Sequence, residues 1–344
     1  MKLRLIALLL LAATMLTACT TAPTTTAAPT QEPTGSTAQP TTVPTTTQPE
    51  EEPVDLFGSL FPVDGQILKK RDLVDVVKKL YGQAGRITEI TYTWEKGRAA
   101  MEVLAGRYDE YHELEVPEES PLQMVYGESE YYNYILYLPE GYDPEDTEKK
   151  WPVIYFFHGY GKQGDDLSVL VSEGPTRYLN KGGKLDAILI APQCPGESHW
   201  ADTNDEVKKL VHFVPEMSEK YNIDTSRMYL TGLSMGGRCT WKLALAMPDA
   251  FAAIAVVCGR TNTYQFETIQ DMPIWMFHGA QDGTVDFNNI NTILRRLHEK
   301  EHSYYKLTVL PHGGHEIWNT IYDSPEVYEW LLCQSLPENT EQAN

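Results

Sequence analysis

The stretch at residues 229–237, YLTGLSMGG, sets Ser234 among three glycines, directly after an apolar run and directly before RCTWKLALAMP. That last segment reads as a helix closed by Pro248. Strand, sharp turn and helix form the local context in which a serine hydroxyl is held up as a nucleophile. Such a turn strains the serine backbone and requires neighbours with almost no side chain, which is what the glycines supply. It also sets the hydroxyl at a helix N-terminus, where the dipole favours developing negative charge. A serine of this kind needs an acid and a base, and both follow it in the chain. PIWMFHGAQDGTVD reads as a strand ending in a glycine-rich loop that carries Asp282. KLTVLPHGGHEIW reads as a further strand leading to His312 and His315. His315 is the expected general base, because Gly313 and Gly314 let its loop turn back over the sheet edge; His312 is the alternative. Asp282 is expected to orient the imidazole and stabilise its charged form, with Asp286 a weaker competitor.

The oxyanion of an acyl-transfer intermediate needs backbone N–H donors. One falls to Met235, directly after the nucleophile. IYFFHGYGKQGDD offers the second at Tyr160, after the His158–Gly159 pair, with His158 itself expected to support the loop. Trp200 and Trp318 flank the site in sequence and are candidates to stack on a sugar or a phenolic acyl group. Trp94, Trp151, Trp241 and Trp275 read as structural.

These residues need a scaffold that brings distant loops to one edge. From about residue 126, short apolar runs alternate with helical stretches: YYNYILYLP, WPVIYFFHG, DAILIAPQ, RMYLTG, FAAIAVVCG, PIWMFHG and KLTVLPHGG. Helices are expected at roughly 204–221, 236–247 and 287–300. The later runs lack polar alternation, as expected of a parallel sheet covered by helices on both faces.

Taken together, YILYLPEGYDPEDTEKKWPVIYFFHGYG, APQCPGESHW, YNIDTSRMYLTGLSMGG, FHGAQDGTV and GGHEIW resemble the bacterial α/β-hydrolases known as predicted peptidases. That group overlaps with carboxylesterases and with feruloyl-esterase-like and polyhydroxybutyrate-depolymerase-like enzymes. The resemblance covers about residues 126–335. It implies an α/β-hydrolase fold, a mostly parallel sheet with helices on both faces, and the triad Ser234, Asp282 and His315. In DGTVD, Asp286 stands where the family usually has proline.

Residues 298–302 spell HEKEH, the H-E-x-x-H of zinc proteases. The apolar stripe Ile290, Ile293, Leu294 and Leu297 leaves His298 and His302 on a polar flank, so a solvated helix end is expected and no metal or other cofactor. Cys194, Cys239, Cys258 and Cys333 lie far apart and lack zinc-ligand spacing.

The 344 residues carry a formal net charge of −20 with no compensating basic cluster, which argues against a nucleic-acid partner. Residues 1–18 read as a secretory signal, with Lys2 and Arg4 before a short apolar stretch. LTAC resembles a lipobox, which implies lipidation of Cys19 and a location outside the cytoplasm, anchored to the membrane. Residues 19–53, rich in Thr and Pro, read as a disordered linker. Residues 54–125 read as a leader packing on the main domain, with a short helix in RDLVDVVKKLYG and strands around Ile90–Trp94 and EYHELEV. The catalytic domain is expected at 126–336, with a flexible tail at 337–344. The favoured activity is hydrolysis of small or carbohydrate-linked carboxylic esters through an acyl-enzyme. A serine peptidase of prolyl-oligopeptidase type and a non-catalytic binding lipoprotein are the alternatives.

Overall fold

The computed structural model describes residues 87–96, 98–105, 125–200, 203–261 and 265–337. The expected signal, Cys19, the linker, the helix in RDLVDVVKKLYG, the EYHELEV strand and the tail from 338 lie outside these residues. Among the described residues, ten strands form one sheet, in the order β2-β1-β10-β9-β8-β7-β5-β6-β4-β3. They are β1 (Ile87–Glu95), β2 (Arg98–Ala105), β3 (Val125–Glu128), β4 (Asn133–Tyr137), β5 (Trp151–Phe157), β6 (Ile188–Pro192), β7 (Ile223–Leu233), β8 (Ala253–Val257), β9 (Ile274–Gly279) and β10 (Tyr304–Leu310). From β10 through β6 every pairing is parallel; β3, β4, β1 and β2 join as antiparallel edges.

The parallel strands are apolar at successive positions because both faces are covered. Along β5, Ile154 and Phe156 point to one face and Tyr155 and Phe157 to the other. Phe156 packs edge-on against Tyr322 of α5 (Trp318–Tyr322), and Tyr155 against Phe213 of α2 (Asn204–Lys220). Fully buried β6 and β8 repeat the pattern. The remaining helices are α1 (Gly174–Asn180), α3 (Met235–Ala246), α4 (Asn288–Glu299) and α6 (Glu326–Leu332).

The chain runs from β5 outward to β6, then returns across β5 to β7 and proceeds the other way through β8, β9 and β10. Loops leaving β5 and β7 therefore diverge, opening a crevice at the carboxyl ends of the strands where the order reverses. Phe157 lies opposite Gly232, so the segment from His158 and the segment from Ser234 start side by side.

Two expectations change. Residues 87–95, read from sequence as part of a leader, continue the sheet itself: β1 lies antiparallel on β10, with the Thr91 and Thr308 hydroxyls 2.8 Å apart. Helix α4 ends at Glu299, so His302 falls beyond it, buried beside Tyr305, while His298 packs on Trp94. The two imidazoles share no helix face, and HEKEH has no zinc-ligand geometry.

Candidate active site

Ser234 is the single residue between β7 and α3, with φ 52° and ψ −113°. Positive φ costs a residue with a Cβ about 1–3 kcal/mol. The surrounding ladder imposes it: the Ser234 N–H donates to the Val257 carbonyl at 2.8 Å, while α3 must leave at once. Gly236 makes the bend possible, because a Cβ there would collide with the Phe157 and His158 carbonyls of the neighbouring strand end.

The partners arrive from loops stitched to one another. The Gln281 N–H donates to the Gly313 carbonyl at 2.9 Å, tying the loop after β9 to the loop after β10. Across that seam His315 Nδ1 lies 2.8 Å from Asp282 Oδ2, and His315 Nε2 lies 2.8 Å from Ser234 Oγ. Asp282 is buried and its Oδ1 accepts the Thr284 and Val285 N–H groups, each at 2.8 Å. Burial alone would raise this carboxyl, but the His315 bond and the two backbone donors outweigh it and hold it below the usual carboxylate range. An ionised Asp282 can only accept, so His315 carries its proton on Nδ1 and presents a bare Nε2 to the serine hydroxyl. Hydroxyl, imidazole and carboxylate thus form one directed chain. Asp286, the competing acid, is exposed and caps the Asn288 N–H instead; His312 is exposed.

His278 was missed in the sequence. It is fully buried, and its Nε2–H donates to the Val285 carbonyl at 2.8 Å while lying 3.3 Å from Asp282 Oδ2. Its imidazole is kept neutral by burial, which lowers its pKa. The signal was present: the triplet Phe-His-Gly recurs where β5 and β9 end, starting on the last residue of β5 and closing β9. Cys258, His278 and Asp282 offer donor atoms within 4.8 Å of one another, the only such cluster among the described residues. The chemistry of the set suits a hydrogen-bonded support better than a metal. Both Asp282 oxygens are engaged, the His278 Nε2–H is committed to a carbonyl, and burial pushes the Cys258 thiol well up.

The loop after β5 is fixed on both sides of Tyr160. Burial lowers His158 to about 4, so the ring is neutral; its Nδ1–H donates to the Gly159 carbonyl and its Nε2 accepts the Cys194 N–H at 2.9 Å. The Gly159 N–H donates to Glu173 Oε1 at 3.2 Å, and the Gly161 N–H to Gln163 Oε1 at 2.6 Å. The Tyr160 N–H has no acceptor among the described residues, and Met235 opens α3, where N–H groups lack intrahelical partners. These are the two donors expected for an oxyanion. Glu173 carried no signal in the sequence; it becomes visible only once the loop is folded.

One of the two aromatic expectations needs correction. Trp200 is fully buried, its indole N–H donating to the His158 carbonyl at 3.1 Å, so it braces the loop and meets no substrate. Trp318, half-buried, stands edge-on to the His315 imidazole at 5.5 Å. The aromatic groups at the mouth are Tyr160, 73% exposed, and His199 stacked on it. With Ser234, Met235, Arg238, Arg260, Thr284 and Val285 they line a cleft of about 240 Å³.

Residues 186–328, a stretch containing Ser234, Asp282 and His315, match the Dienelactone hydrolase family. The chain is 30% identical over 129 residues to feruloyl esterase C of Emericella nidulans, a match covering 37% of this chain and 46% of that protein. It is 24% identical over 164 residues to a bifunctional acetylxylan esterase/xylanase of Neocallimastix patriciarum, covering 47% of this chain and 24% of that one. The matches thus span less than half the length of these relatives. Among solved structures, a thermostable esterase superposes with a TM-score of 0.50 at 29% identity, covering 59% of each chain. The order of the strands, the serine on its turn between β7 and α3, and this superposition make the fold that of the α/β-hydrolases.

Proposed function

We propose that the protein is a serine carboxylesterase acting on carbohydrate-linked esters such as feruloylated or acetylated polysaccharides. The observation that carries this reading is the continuous chain from Ser234 Oγ through His315 to Asp282, with 2.8 Å at each junction. The feruloyl and acetylxylan esterases among the similar proteins support the choice of ester.

The geometry performs the reaction in two halves. Ser234 Oγ attacks the ester carbonyl as its proton passes to His315 Nε2, and Asp282 stabilises the imidazolium that results. The carbonyl oxygen becomes an oxyanion received by the Tyr160 and Met235 N–H groups. Collapse breaks the bond to the alcohol, which leaves with the proton from His315. Water then gives a proton to the same nitrogen and attacks the acyl-enzyme. The acid departs, and the proton returns to Ser234.

The signal and Cys19 read from the sequence support a site of action outside the cytoplasm on a lipid anchor. Among the described residues no helix is long and apolar enough to cross a membrane.

A panel of methyl ferulate, acetylated xylan, 4-nitrophenyl acetate and peptide 4-nitroanilides tests the reading. Turnover of the esters, abolished in Ser234→Ala, is the expected result. Turnover of the anilides alone would replace it with a peptidase.

A further inference from the structure

Beside the triad carboxylate lies an imidazole that takes no step in the reaction. His278 is completely buried in β9, and strand pairing on both sides fixes its backbone. The Cys258 N–H donates to the Phe277 carbonyl at 2.9 Å, and Val309 of β10 pairs with His278. Phe287 stands edge-on to the ring at 5.7 Å. The two ring nitrogens meet different surroundings. Nδ1 is buried with no hydrogen-bond partner among the described residues, whereas Nε2 faces two acceptors, the Val285 carbonyl at 2.8 Å and Asp282 Oδ2 at 3.3 Å. The proton therefore sits on Nε2. Oδ2 is the oxygen that His315 also holds, at 2.8 Å, while Oδ1 accepts the Val285 N–H. Carboxylate and turn thus form one closed unit from Asp282 to Val285, and the His278 N–H fastens it to the sheet. The Gln281 and Asp282 N–H groups, on the Gly313 and Gly279 carbonyls, hold the start of this loop; His278 holds its far side. The titratable groups facing the ring are Asp282, Asp286 and His315, with the Cys258 thiol beside the carboxylate. Burial keeps the ring neutral, so it donates without adding a charge that would compete with His315 for Asp282.

We propose that His278 is a positioning residue of the triad, its Nε2–H holding the Val285 turn and the Asp282 carboxylate in line with His315. This rests on the serine-hydrolase part of the esterase reading and adds a residue outside Ser234, His315 and Asp282. His278 touches neither substrate nor nucleophile and acts through Asp282 alone. A catalytic group displaced by about 1 Å can cost about 10²-fold in rate, so locking the carboxylate has kinetic weight. The position calls for an N–H donor at the reach of Nε2. Gln places an amide N–H at the same number of bonds from Cα, Asn stops one bond short, and Leu fills a similar volume without a donor.

Phosphonylation by a fluorophosphonate reads activation of the nucleophile whatever the natural ester. Its second-order rate, and kcat for 4-nitrophenyl acetate, should fall about tenfold or more in His278→Leu and His278→Asn, with KM moving less than about threefold. His278→Gln should stay within about threefold of the native rate. The acid limb of the pH–rate profile reports protonation of the base. Looser pairing with Asp282 stabilises the imidazolium less, so that limb should move to lower pH by about half a unit in His278→Leu and His278→Asn, and hold in His278→Gln. A packing role alone would lower the thermal midpoint and leave the limb in place. His278→Asn, small and polar, carries the test should His278→Leu fail to fold. An unmoved limb in folded His278→Asn overturns the proposal, as does a folded His278→Gln as slow as His278→Asn. Proton NMR of the inert Ser234→Ala protein separates the two claims. The low-field resonance of the His315 Nδ1–H should move upfield in Ser234→Ala/His278→Asn and hold in Ser234→Ala/His278→Gln, even if no ester is turned over. A resonance unchanged in both overturns the proposal even if the esterase reading stands.

Discussion

Two loops at the same sheet edge prepare the same reaction by different means. The loop after β5 offers backbone: Tyr160 contributes an N–H, and every side chain around it works as a prop, from Glu173 on Gly159 to Gln163 on Gly161. The loops after β9 and β10 offer side chains: Asp282 and His315 themselves touch the nucleophile's proton path. A group supplied by a side chain can be deleted outright, whereas a group supplied by backbone can only be loosened through its supports. The two regions should therefore respond very differently to single substitutions.

The largest effect is expected on the side-chain half. Asp282→Asn would turn an acceptor into a donor toward His315 and stabilise the wrong tautomer, lowering kcat about 10⁴-fold. Stopped or steady-state hydrolysis of 4-nitrophenyl acetate measures this, and a loss under tenfold would mean that Asp286 or another acid takes over. On the backbone half, Glu173→Ala should lower kcat by roughly tenfold, with KM moving less, because a tilted Gly159–Tyr160 peptide weakens a contact made mainly in the transition state. Glu173→Gln keeps the acceptor and should restore most of the rate. If both variants lose activity equally, the carboxylate has a part other than holding Gly159.

The supports also set a pH dependence of stability. Burial lowers His158 and His302 to about 4, from 6.5. The unfolded chain binds protons at these sites first, so their contribution is complete above 6.5 and is lost as pH falls toward 4. At 1.36 kcal/mol per pH unit the loss is of order 3 kcal/mol for each ring. Urea unfolding at pH 7 and pH 4.5 should show the fall, and His302→Gln, away from the catalytic loops, should flatten it. The smallest effect sits at the nucleophile. Ser234→Gly relieves the positive φ and should raise stability by about 1 kcal/mol, seen as a higher thermal midpoint in an inactive protein.

What was legible in the sequence follows the same division. Helices over 204–220, 235–246 and 288–299 lie where their apolar periodicity put them, and the seven apolar runs became β4 to β10. The order Ser234, Asp282, His315 could be read because each residue sits just past an apolar strand, and strand ends in a parallel sheet share one edge. Edge strand β3 escaped notice, since Val125 and Tyr126 are exposed and follow no buried pattern. Props and walls were harder still. Trp200 looked like a substrate platform by its neighbours in sequence, but its burial is decided by Phe157, Tyr132 and His158, all far away in the chain. Arg238 and Arg260 reach one cleft through a close approach of Gly237, in the first turn of α3, to Gly259, after β8, which no local pattern encodes. The solvated helix end expected for HEKEH fails at His302, because the helix ends at Glu299 and the chain then turns that imidazole inward, where it is buried.

The central claim is that Ser234 is the nucleophile and that His315 and Asp282 activate it. A fluorophosphonate probe followed by intact-mass and peptide analysis tests it most directly. One adduct on the peptide containing Ser234, formed far more slowly in Asp282→Asn and absent in Ser234→Ala, is the predicted result. An adduct on another residue, or ester turnover persisting undiminished in Ser234→Ala, would contradict it.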